Sequence, residues 1–299
     1  MKKQNVVFIG AGEIGSAISH LVSFSNANIE KWDKVKNRVK NQKALSQIVP
    51  AADILFLCIP SWALQNAFVD LKPLLNKNTI VISVSKGIEK DSELFIDQLL
   101  KKSLPKNKSF ALLSGPMLSE EFEKGQGGAA VIGTKKKQAF DQIETLFKKS
   151  KLSLCWEKEV HSVAIAGALK NIYAVALGIV RGLNWGDNRI SWLFAESVRE
   201  MQTITKVLKG KPRVIISQAG LGDLLATGSS KFSSNFMLGK ELATKTTSKK
   251  TCEGKNALPI LIKKLGKKNT DLSILDALEQ VLFKKKKAKD VFERLFTKN

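Results

Sequence analysis

The feature that most constrains the fold is a glycine pattern close to the start of the chain. The apolar run Val6–Ile9 leads directly into Gly10, Gly12 and Gly15, and a helical pattern follows. The order strand, GxGxxG, helix is typical of the first turn of a dinucleotide-binding fold, where glycines let the backbone bend and approach the pyrophosphate. The free N–H groups of the helix N-terminus attract phosphate. A glycine-rich turn that binds nothing is the simpler alternative, and the α/β pattern that follows argues against it.

The first half of the chain alternates β-rich runs with helical patterns such as residues 14–23 and 93–101. Predicted strands cover residues 5–9, 28–32, 53–59, 79–84, 109–113, 129–133 and 152–156. Continuous apolar runs of this kind are typical of parallel strands covered on both faces. After Glu157 only helical patterns follow. The sequence therefore predicts an α/β Rossmann domain with a mainly parallel sheet (residues 1–158) and an all-α C-terminal domain (residues 159–299).

The net charge of +22 comes mostly from lysine, since only six of the 49 basic residues are arginine. Such a field attracts anions of any kind, including nucleic acid. The lysines are scattered through helical segments with few aromatic residues among them, which is typical of a solvated surface. We therefore expect no nucleic-acid partner, although the field would help to draw in an anionic cofactor or substrate.

Cysteine and histidine usage argues against disulfide and metal chemistry. Cys58, Cys155 and Cys252 lie far apart and form no CxxC pair, which is typical of reduced core or filler residues in a cytosolic protein. His20 and His161 are too few and too distant to form a histidine cluster, so we expect no metal site.

The longest apolar stretch, residues 163–180, is interrupted by Lys170, Asn171 and Tyr173. It indicates a buried core helix rather than a membrane span. The apolar run near the N-terminus is too short for the hydrophobic region of a signal peptide. We expect no membrane span and a cytoplasmic location.

Cofactor preference is predicted from the end of the second strand. A carboxylate at Asp33 would accept a hydrogen bond from a ribose 2′-hydroxyl and repel a 2′-phosphate, which favours NAD. Lys34, Lys36 and Arg38 follow directly and could bind a 2′-phosphate, so NADP stays open. A helix-capping role for Asp33 is a further alternative.

Lys170 is the strongest candidate for proton transfer. It lies beside Asn171 in the middle of a helical pattern that is apolar nearly all round, so the helix should be buried. Burying a lysine and an asparagine is unfavourable unless they have partners or a task. A lysine near a helix end can instead extend its amine to water, but the central position of Lys170 argues against that.

Six short motifs then occur in order along almost the whole chain. They are Ser85-Lys86-Gly87-Ile88, Ser114-Gly115-Pro116, Gly167-Ala168-Leu169-Lys170-Asn171, Gly186-Asp187-Asn188, Ala219-Gly220-Leu221-Gly222-Asp223-Leu224 and Glu253-Gly254. Together with the N-terminal glycines, this series resembles the NAD(P)-dependent glycerol-3-phosphate dehydrogenase family. The resemblance implies reduction of dihydroxyacetone phosphate to sn-glycerol 3-phosphate, which feeds phospholipid synthesis.

The resemblance also implies roles for individual residues. Lys170 would be the general acid/base at the C2 oxygen, Lys86 would polarise the same oxygen, and Asp223 would hold the lysines. The implied cofactor-binding residues are Gly10, Gly12, Glu13, Ile14, Gly15, Asp33, Lys86 and Glu253. The implied substrate-binding residues are Lys86, Ser114, Gly115, Asn171, Ser234 and Asn235. We expect a substrate cavity between the two domains, at the carboxyl edge of the sheet.

The chain departs from the family pattern at several positions. Where the family has Ser-Arg-Asn-Arg, this chain has Ser233-Ser234-Asn235-Phe236, so a bidentate phosphate clamp is missing. Lys231 or Lys240 could compensate as a point charge. Gly127-Gly128 replaces Pro-Thr, Glu196 replaces an arginine, and the segment from residue 38 to 52 is shorter.

These departures leave three functions open. The first is the family reaction on a small phosphorylated ketone. The second is a related dehydrogenase that acts on another small ketone or 2-oxo compound. The third is a catalytically weak, basic Rossmann protein that binds dinucleotide or nucleic acid, against which the retained Lys86, Lys170, Asn171 and Asp223 argue. The oligomeric state is left open, with a homodimer as one candidate.

Overall fold

The computed structural model describes residues 3–266 and 271–297. Packing divides the chain into a first unit, Met1–Ala164, and a second unit, Ile165–Asn299. The boundary expected from the sequence, between residues 158 and 159, stays a prediction. One helix, Val160–Gly182, begins in the first unit and continues into the second.

The first unit is built on a seven-stranded sheet. Its strands are β1 (Asn5–Ile9), β2 (Asn28–Trp32), β3 (Ile54–Leu57), β4 (Ile80–Ser83), β5 (Phe110–Ser114), β6 (Gly128–Gly133) and β7 (Leu152–Glu157). Their order is β2-β1-β3-β4-β5-β6-β7. The strands pair in parallel except at β5 and β6, where Leu113 faces Ile132 in an antiparallel ladder. The predicted α/β class with a mainly parallel sheet is confirmed.

Helices follow most of the strands of the first unit. They are α1 (Glu13–Ser23), α2 (Leu45–Ile48), α3 (Leu64–Leu71), α4 (Ile96–Ser103), α5 (Ser119–Glu123) and α6 (Lys137–Thr145). Every residue of β3 and β4 is buried, as expected for central strands covered on both faces. Phe8 and Phe56 stack at the centre of this core, with ring centroids 4.6 Å apart. The predicted strands are all present, with ends shifted by at most two residues.

The described part of the second unit contains helices and no strand. Its α-helices are α7 (Val160–Gly182), whose first five residues belong to the first unit, α8 (Asp187–Val207), α9 (Asp223–Ser229), α10 (Ser234–Leu242), α11 (Glu253–Leu265), α12 (Ser273–Leu282) and α13 (Ala288–Thr297). By length and composition α7 could cross a membrane, but its most apolar window is buried throughout. The prediction of a buried core helix is therefore confirmed.

Glycines let the helices around α7 approach one another closely. A β-carbon at Gly239 of α10 would lie 2.1 Å from the Val175 carbonyl oxygen of α7. A β-carbon at Gly254 of α11 would lie 2.3 Å from the Asn171 carbonyl oxygen. Because real β-carbons do not come this close to backbone, only glycine at these two positions lets the backbones of α10 and α11 lie so near α7.

The cysteines differ in part from expectation. Cys58 and Cys252 are buried, but Cys155 is exposed on the edge strand β7, so it is not a core residue. Burial raises the pKa of the Cys58 thiol, which makes it unreactive. Within residues 3–266 and 271–297, no group of three or more potential metal-ligating side chains comes together.

Candidate functional site

The glycine loop between β1 and α1 has the geometry that a pyrophosphate requires. Gly10 has a φ of +97°, and a β-carbon there would lie 2.4 Å from the Cys58 carbonyl oxygen. At Gly15 a β-carbon would lie 2.1 Å from the Gly10 carbonyl oxygen. By contrast, a β-carbon at Gly12 would meet no atom within 4 Å. The loop is therefore tight where it packs and open at Gly12, where a dinucleotide would approach.

Glu13 and Ile14 form the first turn of α1, directly after this opening. Gly12 is the N-cap, and the helix ladder starts with the hydrogen bond from Ser16 N to Gly12 O. The amides of the first turn lie ahead of this bond and have no intrahelical acceptor, so they can bind an anion. The Glu13 side chain is exposed and the Ile14 side chain packs on the core. The predicted cofactor contacts of these two residues would therefore be made by their backbone amides.

Asp33 lies at the carboxyl end of β2 with its side chain turned toward the glycine loop. Its carboxylate accepts hydrogen bonds from Ala11 N (2.7 Å) and Val35 N (2.8 Å), and Arg38 Nη1 lies 3.3 Å away. Burial raises the pKa of Asp33, but the hydrogen bonds from Val35, Ala11 and Arg38 together lower it by more. The pKa of Asp33 therefore lies below its usual value. Asp33 is thus a charged residue beside the glycine loop, as its predicted role at the ribose of a dinucleotide requires.

Lys86, Ser114 and Gly115 come together in the first unit, where β4 and β5 end. Lys86 Nζ donates to the Gly115 carbonyl oxygen at 3.2 Å. Gly115 has a φ of +155°, and a β-carbon there would lie 2.5 Å from the Ala129 carbonyl oxygen. Ser114 Oγ is buried and has no hydrogen-bond partner among the described residues. Buried polar atoms are rarely left without a partner, so this hydroxyl is a reasonable candidate to contact a ligand.

The second unit contains a buried triangle of polar side chains. Lys170 Nζ of α7 lies 3.1 Å from Asp223 Oδ1 and donates to Thr227 Oγ1 at 2.8 Å. Thr227 Oγ1 in turn donates to Asp223 Oδ1 at 3.1 Å. Lys170 is 7% exposed and Asp223 2% exposed. The buried carboxylate therefore compensates the lysine charge, and the carboxylate and hydroxyl together hold the amine at one position.

A π-helical turn places Asp223 at the start of this arrangement. The turn spans Gln218–Gly222. Ser217 is its N-cap, and the Ser217 side chain accepts a hydrogen bond from Ala219 N. A β-carbon at Gly220 would lie 2.3 Å from the Ile215 carbonyl oxygen, so the turn packs tightly on the preceding segment. Turns of this type often occur at functional sites. The close packing of this turn therefore explains why glycine occurs before Asp223.

Asn171 and Asn235 form a second buried contact, one residue along α7 from Lys170. Asn235 Nδ2 donates to Asn171 Oδ1 at 3.0 Å, and Asn235 Oδ1 accepts from Gly254 N at 2.9 Å. Glu253, the first residue of α11, is half-buried directly beside this contact. The two asparagines therefore join the starts of α10 and α11 to α7.

The structure explains two of the departures from the family pattern. Ser234 is the exposed first residue of α10, whereas Phe236 is only 5% exposed. A charged side chain at position 236 would therefore lose hydration in this core. Glu196 is paired with Arg199 of the same helix at 2.6 Å, so its reversed charge is compensated locally.

Two residues of the second unit have environments that the sequence did not indicate. Thr227 completes the triangle. Because Thr227 lies four residues after Asp223 on one helix, the two side chains share a helix face, and this spacing could have identified Thr227 as a partner of Asp223. Glu200 is buried and accepts from Tyr173 Oη (2.8 Å) and from Ile274 N (2.7 Å). Desolvation raises its pKa to about 7 despite these hydrogen bonds. Glu200 therefore joins three helices of the second unit.

A groove of about 600 Å³ lies elsewhere in the first unit and contains none of the predicted site residues. It is lined by Trp32, Ala44, Leu45, Ser46, Val69, Asp70, Pro73 and Leu74. The contacts divide the candidate site residues into three groups. The glycine-loop group (Gly10, Gly12, Glu13, Ile14, Gly15 and Asp33) and the Lys86 group (Lys86, Ser114 and Gly115) lie in the first unit. The Lys170 group (Lys170, Asn171, Asp223, Thr227 and Asn235) lies in the second unit.

Two family models match this chain in succession. The N-terminal model of NAD-dependent glycerol-3-phosphate dehydrogenase matches residues 33–140, and the C-terminal model of the same family matches residues 159–293. Together the two matches include all the residues of the Lys86 and Lys170 groups.

Similar proteins are found in bacteria. A glycerol-3-phosphate dehydrogenase [NAD(P)+] of Clostridium tetani is 27% identical, with 100% of this chain and 94% of the relative aligned. One of Fusobacterium nucleatum is also 27% identical, over 97% and 96% of the two chains. The crystal structure of glycerol-3-phosphate dehydrogenase from Coxiella burnetii has a TM-score of 0.86 at 22% identity and covers 98% of this chain and 99% of its own. This last likeness concerns the fold.

Proposed function

Because the chain belongs to the NAD-dependent glycerol-3-phosphate dehydrogenase family, we propose that it interconverts dihydroxyacetone phosphate and sn-glycerol 3-phosphate. The observation that carries the proposal is the buried Lys170–Asp223–Thr227 triangle, because reduction of a ketone needs a proton donor beside the carbonyl oxygen. A bound NADH or NADPH supplies the hydride for the C2 carbon. The product would feed phospholipid synthesis.

Lys170 is proposed as the proton donor. Reduction of a ketone would develop negative charge on the carbonyl oxygen. The Lys170 ammonium stabilises that charge and transfers one proton to the oxygen, which completes the alcohol. Asp223 compensates the charge of the ammonium before transfer, and the Thr227 hydroxyl fixes its direction. In the reverse reaction the neutral amine accepts the proton.

The residues of the first unit are proposed to bind the dinucleotide. The open side of Gly12 and the amides of Glu13 and Ile14 fit a pyrophosphate, with Gly10 and Gly15 supporting the turn. Asp33 suits the adenine-side ribose, because it lies beside the loop and stays charged. Lys86 and Glu253 are proposed as further cofactor contacts on the strength of the motifs alone.

The proposed substrate contacts are Lys86, Ser114, Gly115, Asn171, Ser234 and Asn235. Support comes from the unpartnered Ser114 hydroxyl among the described residues and from the buried Asn171–Asn235 contact. Lys86 would polarise the C2 oxygen as a second cation. A substrate cavity between the two domains remains a prediction from the sequence.

A related dehydrogenase of a ketone without phosphate is the second candidate. It is favoured by Ser234, since an exposed serine stands where the family has a phosphate-binding arginine. A hydroxyl does not replace a bidentate guanidinium. Lys231 and Lys240 are exposed near the same helix and could act as point charges.

One assay separates these candidates. Oxidation of NADH and NADPH is followed by the absorbance of the reduced nicotinamide, with dihydroxyacetone phosphate, dihydroxyacetone and a panel of small 2-oxo acids as substrates. The proposed function requires a much larger kcat/KM for the phosphorylated ketone. Preference for an uncharged ketone or a 2-oxo acid supports the second candidate. Dinucleotide binding without turnover of any substrate supports a catalytically weak binding protein.

We further propose a soluble, cytoplasmic enzyme with no nucleic-acid partner, and a homodimer is one candidate for its oligomeric state. The buried window of α7 supports a soluble chain. Sedimentation at several protein concentrations tests the dimer, and competition by duplex DNA for NADH binding tests the absence of a nucleic-acid partner.

A further inference from the structure

The last strand of the sheet, β7, has an open edge. It pairs in parallel with β6, and among the described residues no strand pairs with its other side. The Gly128 amide donates to the Lys151 carbonyl oxygen, and the Thr134 amide donates to the Glu157 carbonyl oxygen. Because backbone groups alternate along a strand, the odd-numbered residues of β7 turn theirs toward β6. The even-numbered residues turn theirs outward, and these are Leu152, Leu154 and Trp156.

This open edge lacks the features that usually protect an edge strand from pairing. Residues 152–156 read Leu-Ser-Leu-Cys-Trp, with no charge and no proline. Trp156 is 38% exposed. The strand at the opposite edge of the sheet, β2, carries Glu30 and Lys31 within the strand. Since natural edge strands are normally blunted by such charges, β7 has the character of a strand that a partner covers.

The sequence of β7 is complementary to itself when two copies run antiparallel. If the pair is centred on Leu154, Lys151 lies opposite Glu157 of the second copy, and the same contact occurs twice. Leu152 then lies opposite Trp156 of the second copy. Opposite charges directly across an antiparallel pair are favourable, whereas like charges are not. Moving the centre by one or two residues breaks both Lys–Glu pairs and leaves Leu152 or Trp156 opposite a residue outside the strand.

The direction of the backbone groups agrees with this centre. With the two-fold axis at Leu154, the residues whose backbone groups point outward form the hydrogen-bonded pairs of an antiparallel ladder. The residues between them form the closer, non-hydrogen-bonded pairs. Ser153 therefore lies opposite Cys155 of the second copy, with Cα atoms about 4.5 Å apart. The Ser153 and Cys155 side chains are both exposed, so nothing else in the described chain covers them.

We propose that β7 is the surface through which two copies of this chain associate. The strands run antiparallel around a two-fold axis at Leu154, so each copy presents the same surface to the other. The two seven-stranded sheets join into one. Leu154 and Trp156, which are only partly buried at the edge, become covered. The inference is independent of the proposed reaction, because β7 carries none of the proposed site residues.

The first test cross-links the full-length protein at this register. Ser153→Cys places a thiol opposite Cys155 of the second copy, within the Cα separation of about 4.4–6.8 Å that disulfides span. Oxidation with copper phenanthroline is expected to give a covalent dimer on a non-reducing gel. The wild type and Ser153→Cys/Cys155→Ser should stay unlinked, because identical positions on the two strands are about 7–8 Å apart.

The second test changes charge at the same exposed positions. Ser153→Lys/Cys155→Lys places lysine opposite lysine twice, and we expect the dimer Kd from sedimentation to rise about tenfold or more. Ser153→Glu/Cys155→Glu should weaken the dimer as well, although it lowers the net charge. Ser153→Lys/Cys155→Glu is the matched control, in which each lysine faces a glutamate, and its Kd should stay within about twofold of the wild-type value. Circular dichroism should be unchanged in all three, because both positions are exposed.

Several results would overturn the proposal. A wild-type chain that stays monomeric over the whole concentration series excludes the association. A dimer that Ser153→Cys does not cross-link, or that all three charge variants weaken equally, uses another surface. A disulfide between the two wild-type Cys155 residues places the axis elsewhere on β7. None of these results bears on the proposed reaction, which the substrate assay tests separately.

Discussion

Lys170 illustrates what a single buried charge requires. Its amine contacts one carboxylate and one hydroxyl, both nearly inaccessible to solvent. The arrangement holds the amine at one position, and a positioned ammonium is the group that a developing oxyanion needs. The same contacts also stabilise the fold, so mutation must separate the chemical role from the structural one.

We expect Lys170→Ala to lower kcat by about 10²-fold or more, the usual effect of losing acid–base catalysis. Cofactor affinity should change little, because the glycine loop and Asp33 belong to the first unit. Lys170→Arg should also be poor, since guanidinium does not release its proton at neutral pH. The checks are steady-state kinetics, NADH binding and circular dichroism. A folded Lys170→Ala variant with near-normal turnover would identify Lys170 as structural and make Lys86 the better candidate.

Gly12 provides a second test, because its β-carbon position is open. Its φ of −71° suits any residue, so the fold should tolerate a side chain there. We expect Gly12→Val to weaken NADH binding about tenfold or more, as overpacking costs about 1–3 kcal/mol. Gly15→Ala is the contrasting variant, because its β-carbon would lie 2.1 Å from the Gly10 carbonyl oxygen and should lower stability itself. Unchanged NADH affinity in a folded Gly12→Val protein would refute the pyrophosphate assignment.

Between helices, glycine decides how closely backbones approach. The crossing of α7 and α10 places a Gly239 β-carbon 2.1 Å from the Val175 carbonyl oxygen, and Gly178 on α7 is equally close to the Phe236 carbonyl oxygen at 2.2 Å. A methyl group at either position must push the helices apart. The Asn171–Asn235 hydrogen bond spans the same pair of helices and would lengthen as a result.

Gly239→Ala is therefore expected to lower the free energy of unfolding by about 1–3 kcal/mol. KM for the substrate should rise more than NADH affinity falls, because the change lies beside Asn235. Gly186→Ala serves as control: no atom lies within 4 Å of its β-carbon, so it should lose only the modest preference for glycine over alanine at the N-cap of α8. Urea unfolding of the three proteins, with kinetics on the folded ones, measures both effects. Equal stability of Gly239→Ala and Gly186→Ala would show that α10 can shift without penalty.

For the molecule as a whole, the pH dependence of stability includes an unusual contribution from Glu200. Glu200 accepts hydrogen bonds from Tyr173 Oη and from the amides of Ile274 and Leu275 at the start of α12. Burial nevertheless raises its pKa from 4.5 to about 7. The folded chain thus binds this proton more tightly than the unfolded chain. The contribution is fully present below about pH 4.5 and is lost as the pH rises through 7.

We expect the free energy of unfolding of the wild type to fall, relative to that of Glu200→Gln, as the pH rises from 5 to 8. One pKa unit corresponds to about 1.4 kcal/mol, so the difference reaches at most about 3 kcal/mol. Urea unfolding at a series of pH values measures it, and the change in slope is informative even if glutamine lowers stability overall. Parallel pH profiles for the two proteins would show that Glu200 titrates normally.

The strands, the glycine loop and the buried character of α7 could be predicted because each depends on neighbours within a few residues. Apolar runs identify covered strands, and only glycine meets the geometry at Gly10 and Gly15. The importance of Lys170 could likewise be inferred, since a lysine in an apolar helix needs a partner. The sequence could not identify that partner without the family resemblance.

Packing alone decided the remaining features. Lys170 and Thr227 are 57 positions apart, and Asn171 and Asn235 are 64 apart, so no local pattern joins them. The antiparallel placement of β6, the burial of Phe236 and the orientation of Arg38 over Asp33 likewise follow from how segments pack. The physical reason is range: backbone preference and periodicity act along a few residues of chain, whereas the energy of a buried polar contact depends on every surface that excludes water from it.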